Sequence, residues 1–447
     1  MAISSGGWGV WDPAIACDGA GDVTAVWVQK VGLTDDAFGL ATLPVGINRW
    51  TPPITITIRY KNSGVSVLQP AVVRTREQVV VAWRYQSSDR LSAAILRPPG
   101  HPVAGTMRLL AGSSASRPPV LMQDARGDTF AAWVQQDHTR SSRTVFVAIR
   151  PKGTSYWRGP FRVSGPAHNI SGVTLVASSK GTVFAIWPQR SRRYVSIKAA
   201  VLDSDGTNYA QIETIMRAPA SRTFFHVAGA PGAAGRIVTA WGTYDPRSGR
   251  DVIMASRYEE RTGSWTAPAI ISSSTHGNAL YPIAAANTRG TILLAWREHR
   301  ALGGTIIDAA LLPAGRHTWR YTDRVVASRS EKARIGRPAL TANDAGDFIV
   351  AWRQSVGNQT RIDASVLPAM TRQWTHPIMI NNPHIGEHAT LGGIAAPLKM
   401  LLTATYGAPA GPQVGNPVLT DAVHGPVIAI WEQGNSQHTA VYASYYR

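Results

Sequence analysis

The sequence predicts an all-β fold: a β-propeller of eight four-stranded blades, closed by pairing of its N- and C-terminal strands. Three observations predict it. An apolar stretch ending in Trp recurs eight times along the 447 residues. Each copy sits among four short strand-like segments, and the two chain ends supply complementary parts of one blade.

Gly346-Asp347-Phe348-Ile349-Val350-Ala351-Trp352 is the unit of the repeat, and variants occupy 21–27, 77–83, 127–133, 181–187, 235–241, 290–296 and 425–431. Glycine stands six residues before the Trp in every copy except the second, where Glu77 replaces it. Successive Trp are 56, 50, 54, 54, 55, 56 and 79 residues apart. A period near 54 over a whole chain marks a repeat architecture.

Each run before the Trp is short, apolar and largely β-branched, which predicts a strand buried on both faces. A Pro fourteen residues earlier in five copies (Pro13, Pro119, Pro282, Pro338, Pro417) opens the preceding strand. Turns such as Asp124-Ala125-Arg126-Gly127-Asp128 and Asn343-Asp344-Ala345-Gly346-Asp347 join the two. Glycine supplies the positive φ of a hairpin turn, and Asp or Asn supports it with a side-chain hydrogen bond. A third strand follows with cores such as Ile307-Asp308-Ala309-Ala310 and Ile362-Asp363-Ala364-Ser365, and a fourth is entered by Trp50, Trp157, Trp265, Trp319 or Trp374, or by Tyr209. Four strands, eight times over, is propeller arithmetic.

The predicted blades span 11–62, 63–112, 113–166, 167–218, 219–274, 275–328 and 329–383, with the eighth formed by 416–447 plus 1–10. The chain stops after a third strand and opens on a segment resembling a fourth, so each end completes the other and no sheet edge is left open. Residues 384–415 account for the 79-residue gap and read as an inserted or degenerate hairpin; seven or nine blades are the other counts they allow.

The 45 Lys plus Arg against 27 Asp plus Glu include only 7 Lys, so the net charge of +18 is carried by arginine and attracts polyanions. Cys17 is the single cysteine and reads as a buried thiol. No Cys/His spacing suggests zinc, and no cofactor motif is present. Asp203-Ser204-Asp205-Gly206-Thr207-Asn208 has calcium-loop spacing without the closing Glu, and reads as a turn. No apolar run is long enough to span a membrane, and no basic-then-apolar signal opens the sequence. The expected location is cytoplasmic, or extracytoplasmic with a signal upstream of Met1; the expected state is a monomer.

All fifteen Trp are absorbed by strands and the closing segment, which makes them wedges between blades instead of sugar platforms. Gln recurs two places after the Trp (Gln29, Gln135, Gln189, Gln354, Gln433) and is expected to satisfy backbone groups at the strand end.

The pattern of Gly, then Trp, then Ile/Val-x-Ala-Ala/Ser and a turn leading to a second Trp resembles the sialidase-like, or Asp-box, propeller repeats over nearly the whole chain. The turns Glu260-Arg261-Thr262-Gly263-Ser264-Trp265 and Pro313-Ala314-Gly315-Arg316-His317-Thr318-Trp319 keep the Gly and the aromatic but lack the Asp of that box. The resemblance implies the architecture. The enzyme's arginine triad, Tyr–Glu pair and acid Asp have no assignable positions here.

Loops joining strands two to three, and those joining four to one, share a face, the usual binding face of a propeller. There Arg140, Arg143, Arg190, Arg192, Arg193, Arg247, Arg250, Arg297 and Arg300 form an expected basic crescent, extended by Arg329, Lys332, Arg334 and Arg337. The opposite face gathers Asp18, Asp22, Asp124, Asp128, Asp344 and Asp347. The leading expectation is a non-enzymatic recognition module whose crescent binds an anionic glycan, a cell-wall polymer, nucleic acid or a protein partner. The second expectation is a glycoside-acting enzyme with its site at the central channel, for which Asp137, Asp245, Asp251 and Glu298 are the carboxylates on that face.

Overall fold

The computed structural model describes residues 2–4, 9–31, 35–57, 67–85, 90–97, 101–102, 108–111, 115, 117–136, 142–202, 212–272, 277–300, 304–322, 326–327, 333–356, 359–381, 413–420, 427–434 and 439–446. They form eight antiparallel sheets in chain order, the blades of a propeller. Among them the single helical element is a short 3-10 turn, Ala233–Gly235, and no helix is long and apolar enough to cross a membrane. The predicted insertion at 384–415 and the calcium-like turn at 203–208 fall almost wholly or wholly outside the described residues.

Each second strand carries its Trp into the contact with the preceding blade. Trp83 packs on Val26 and Val28 of blade one, Trp187 on Phe130 and Val134 of blade three, and Trp27 on Ile428 and Ile430 of blade eight. All eight of these Trp are at most 2% exposed, so the repeat period is the spacing of interblade wedges. The recurrent Gln differs from expectation. Its carbonyl accepts the indole N–H of that Trp, at 2.9 Å for Trp27–Gln29 and 3.0 Å for Trp187–Gln189, and Glu298 takes the role for Trp296 at 3.3 Å. A buried indole needs an acceptor, and the strand's two-residue period puts one on the same side.

The acidic turns are structural. Asp124 Oδ1 accepts the amides of Arg126 and Asp128 across its hairpin, while Asp128 Oδ1 accepts Lys152 N in the turn after the third strand. Asn343 and Asp347 repeat the arrangement, reaching Ala369 N. The two acids of the motif therefore cap two turns of one blade.

Ring closure follows the predicted pairing. Ala2 bridges Tyr442 on the third strand of blade eight, Ile3 N donates to Val441 O at 2.8 Å, and Val441 N donates to Ser4 Oγ at 3.0 Å.

The blades depart from four plain strands in two ways: the fourth strand is split in blades two, five and six, and the innermost strand is interrupted at one level. In blades one, two, five and six it is continuous but bulged, with register shifts between Trp11 and Ala14, Leu68 and Ala71, Phe225 and Ala228, and Leu280 and Ile283. In blades four, seven and eight it splits into two pieces pairing with the same second strand. Blade three has a bridge at Ala115 and then the strand Val120–Gln123. The interruptions recur once per blade.

Candidate active site

Four bulge residues adopt left-handed backbone conformations without being glycine: Asp12 (φ 50°), Gln69 (φ 49°), His226 (φ 51°) and Tyr281 (φ 57°). Each such residue costs on the order of 1–3 kcal/mol unless its surroundings hold it there. A bulge re-aims its side chain out of the alternation of the strand. Carboxylates hold the first two: Glu432 Oε2 accepts Asp12 N at 3.1 Å, and Asp12 Oδ2 accepts Gln69 N at 3.0 Å.

In blades five and six the bulges bring two aromatic rings together. His226 and Tyr281 lie with centroids 4.1 Å apart and planes tilted by 42°. The guanidinium of Arg297 sits 4.5 Å from the Tyr281 ring centre and that of Arg337, from blade seven, 4.8 Å. Both are within cation–π range. Arg297 is steadied by donation to Ile335 O at 3.2 Å. Gly242 makes the seat for His226 possible. A Cβ there would fall 2.1 Å from Phe225 Cε2, so the Phe225 ring occupies the space of the missing side chain, and its centroid lies 5.8 Å from that of His226.

Burial, then the positive charges of Arg337, Arg297 and Arg117, hold the His226 imidazole down at about 4. It is neutral at physiological pH and offers a lone pair inside an electropositive site. On the seam between blades eight and one, burial pushes both the Asp12 and Glu432 carboxyls up, and in Glu432 the neighbouring charge of Asp12 adds to it.

The predicted arginines separate into groups. Arg297 joins the His226–Tyr281 cluster together with Arg337. Arg143 is spent as an interblade strut, donating to Asn169 Oδ1 at 2.6 Å and to Ile170 O at 3.3 Å. Arg190 donates to Ala220 O. Arg192 and Arg193 are exposed in the turn closed by Ser191 and Tyr194; Arg247 and Arg300 are exposed and Arg250 half-buried. Arg140, Arg329 and Lys332 lie outside the described residues, and Arg334 is exposed.

Two of the carboxylates singled out in the sequence hold the scaffold, Glu298 and Asp245. Glu298 is fully buried against Trp296, and Asp245 caps its own turn through Arg247 N, Ser248 N and Ser248 Oγ. Asp251 is half-buried beside Asn278, and Asp137 lies outside the described residues. Sequence reasoning missed His226 and Tyr281. The signal was present: Tyr281 immediately precedes the recurring Pro282, as Asp12 precedes Pro13 and Arg337 precedes Pro338, and His226 holds the same phase of its repeat.

No family model and no curated protein matches the sequence. Among solved structures, the fold is similar to an ulvan lyase, described as a new family of polysaccharide lyase and bound to -[GlcA(1-4)Rha3S]-. That match has 8% identity, covers 99% of this chain and 94% of that one, and has a TM-score of 0.52. The same lyase in a second structure gives 7% identity, the same coverage and a TM-score of 0.51. One of two prolyl endopeptidases is similar at 9% identity over 97% of this chain and 55% of that one, with a TM-score of 0.52. At these identities the likeness is one of fold. The leading expectation of a non-enzymatic recognition module is corrected here. The solved structures that share the fold over nearly the whole chain are those of enzymes, which favours the second expectation over the first.

Proposed function

We propose that the protein is a polysaccharide-cleaving enzyme that acts at the mouth of its central channel by β-elimination on a uronate-containing chain. The observation that carries this reading is the neutral His226 packed on Tyr281 beneath Arg297 and Arg337. Elimination next to a uronate needs three things: neutralisation of the carboxylate, a base for the C5 proton and an acid for the departing oxygen. Arg297 and Arg337 supply paired cationic donors for the carboxylate, which stabilise the negative charge developing as C5 loses its proton. His226 accepts that proton. The electron pair of the broken C5–H bond forms the C4=C5 double bond, the C4–O bond breaks, and the Tyr281 hydroxyl protonates the leaving oxygen. Burial, the largest cause of the low value, persists in the complex, but a bound carboxylate offsets the arginine charges that add to it, so the imidazole is a stronger base there than in the free protein. The similarity to an ulvan lyase bound to a glucuronate-containing chain supports the substrate class. The sialidase-like resemblance of the repeats enters this reading as an architectural relation.

A second reading rests on the raised carboxyls of Asp12 and Glu432, which suit a general acid in glycoside hydrolysis. One experiment separates the two. Ulvan, chondroitin sulfate, heparin and alginate are incubated with the protein, and both ultraviolet absorbance of the new double bond and reducing ends are followed. Elimination yields both signals; His226→Ala and Tyr281→Phe then lower the rate about 10²–10⁴-fold. Reducing ends without the double bond favour the hydrolase, and neither signal on any polymer sinks the enzymatic reading.

A further inference from the structure

We propose that the cavity between blades four and five, next to His226, is a second sugar subsite that seats the neighbouring residue of the chain through an anionic substituent held by Arg190. This rests on the reading that a uronate occupies the His226–Tyr281 site. The cavity measures about 150 Å³ and is walled by Asn169, Gln189 and Arg190 of blade four and by Thr223 and Phe225 of blade five. That is about half the ~300 Å³ at which pockets for drug-sized ligands begin, a space for one sugar ring or its substituent.

Two features tie the cavity to the proposed site. Phe225 is a wall of both, since its ring lines the cavity and lies 5.8 Å from the His226 ring. The Gly242 seat fixes that ring from behind. A chain crossing the face therefore passes from one site to the other over a single aromatic surface.

The polar groups of the cavity are already oriented. Gln189 Oε1 accepts the Trp187 indole at 3.0 Å, which leaves its amide nitrogen as the donor for a ligand. Asn169 Oδ1 accepts Arg143 at 2.6 Å, with the same consequence. Arg190 is anchored through Ala220 O. The described lining thus combines two amide donors with a guanidinium and contains no acid. Such a set selects an acceptor-rich anion, a sulfate or second carboxylate, beside an apolar sugar face.

The test is calorimetric binding of short and long oligosaccharides from ulvan, chondroitin sulfate, heparin and alginate, using the full chain in a His226→Ala background that cannot turn them over. Without further change, affinity rises from disaccharide to tetrasaccharide. Arg190→Gln removes that gain, about tenfold or more for a charge-assisted contact, and leaves disaccharide binding unchanged. Thr223→Trp, which plugs the cavity from its exposed rim, does the same without touching the Arg190 anchor. Tetrasaccharide affinity unaltered in both variants overturns the subsite, as does binding of none of these ligands. An Arg190-dependent length effect in a protein that forms no double bond overturns the elimination reading and leaves the subsite standing. Elimination with one chain-length profile in the parent protein and in Arg190→Gln overturns the subsite alone.

Discussion

His226 and Tyr281 stand 55 residues apart in the chain, yet their rings meet at 4.1 Å between centroids. One repeat period separates them, and each occupies the inner-strand bulge of its blade. Arg337 follows 56 residues later at the same phase and covers the Tyr281 ring. Three successive blades thus meet in one cluster, with blade six adding Arg297 to its Tyr281.

The imidazole makes the first prediction. Its folded value lies at about 4, below the ordinary 6.5, through burial and the charges of Arg337, Arg297 and Arg117. A depressed histidine contributes stability that is present above the unfolded value and lost as pH falls from about 6.5 to about 4. His226→Asn is therefore expected to flatten the loss of stability over that window. In NMR titrations the His226 resonances of the free protein should stay neutral well below pH 6, and an anionic oligosaccharide should raise the midpoint. A midpoint near 6.5 in the free protein refutes the electropositive site.

Gly242 offers a test of positioning. Gly242→Ala drives a Cβ into the Phe225 ring, and overpacking of this kind costs about 1–3 kcal/mol. The ring must move, and His226 with it. Expected are a modestly lowered melting temperature and a fall in kcat with little change in KM. Combining the change with Phe225→Leu should restore stability. Unchanged kcat in Gly242→Ala would show that the Phe225 seat does not position His226.

The architecture was legible because one side chain per repeat does one job. The Trp wedge sits at most 2% exposed in all eight blades, so its spacing reports the blade directly. Closure was legible as well, since residues 2–4 supply the pairing that the third strand of blade eight lacks. The site was not. Whether an arginine reaches solvent or a neighbouring carbonyl is decided across blades: Arg143 is held by Ile170 O and Arg297 by Ile335 O, relations that no single repeat displays. The bulge position is marked by a following Pro in three of the four (Pro13, Pro70, Pro282), but that Pro does not fix which side chain stands there. Asp12, Gln69, His226 and Tyr281 share a backbone conformation and nothing chemical.

At the seam between blades eight and one, the Asp12 and Glu432 carboxyls lie above their ordinary range, chiefly through burial. A raised folded value means that the protonated form is favoured in the native state, and this contribution is lost as pH rises through the folded value. The slope is opposite to that of His226. Glu432→Gln keeps an acceptor for Asp12 N and removes the charge. Its melting temperature at neutral pH should equal or exceed that of the parent, with the difference shrinking toward about pH 4. A clear loss at neutral pH would mean that the ionised carboxylate is needed to hold the Asp12 bulge.

Arg74 fastens blade two to blade one. Its Nε meets Asp18 Oδ2 at 3.1 Å, Nη2 meets Asp22 Oδ2 at 2.9 Å, and Nη1 donates to Thr24 Oγ1 at 2.5 Å, with the Arg74 and Asp18 side chains almost fully buried. Removing one member of a buried ion pair typically costs about 3–5 kcal/mol, because the other charge stays behind unpaired. Arg74→Ala should lose that amount in urea denaturation, and Arg74→Met with Asp18→Asn should recover part of it. If the single and double variants are equally destabilised, packing of the arginine stem and not its charge makes the contact.

Closure of the ring makes the last prediction. Ile3 is 3% exposed and packs in one cluster with Val10, Val23, Trp27 and Ile430, so it belongs to the core between blades one and eight. Its amide and the Ser4 hydroxyl engage both polar groups of Val441, on a strand that otherwise presents an edge. Ile3→Ala creates a cavity at this contact and should cost about 2–5 kcal/mol. Deleting residues 1–4 removes the pairing as well as the side chain, and should cost more than Ile3→Ala alone. It should also expose the third strand of blade eight as an open edge, so self-association is expected to rise with protein concentration. Denaturant unfolding and sedimentation measure the two effects separately. A truncated chain that unfolds with the midpoint of the full one would show that blade eight is stable without its N-terminal strand, and the ring would not depend on closure by its two ends.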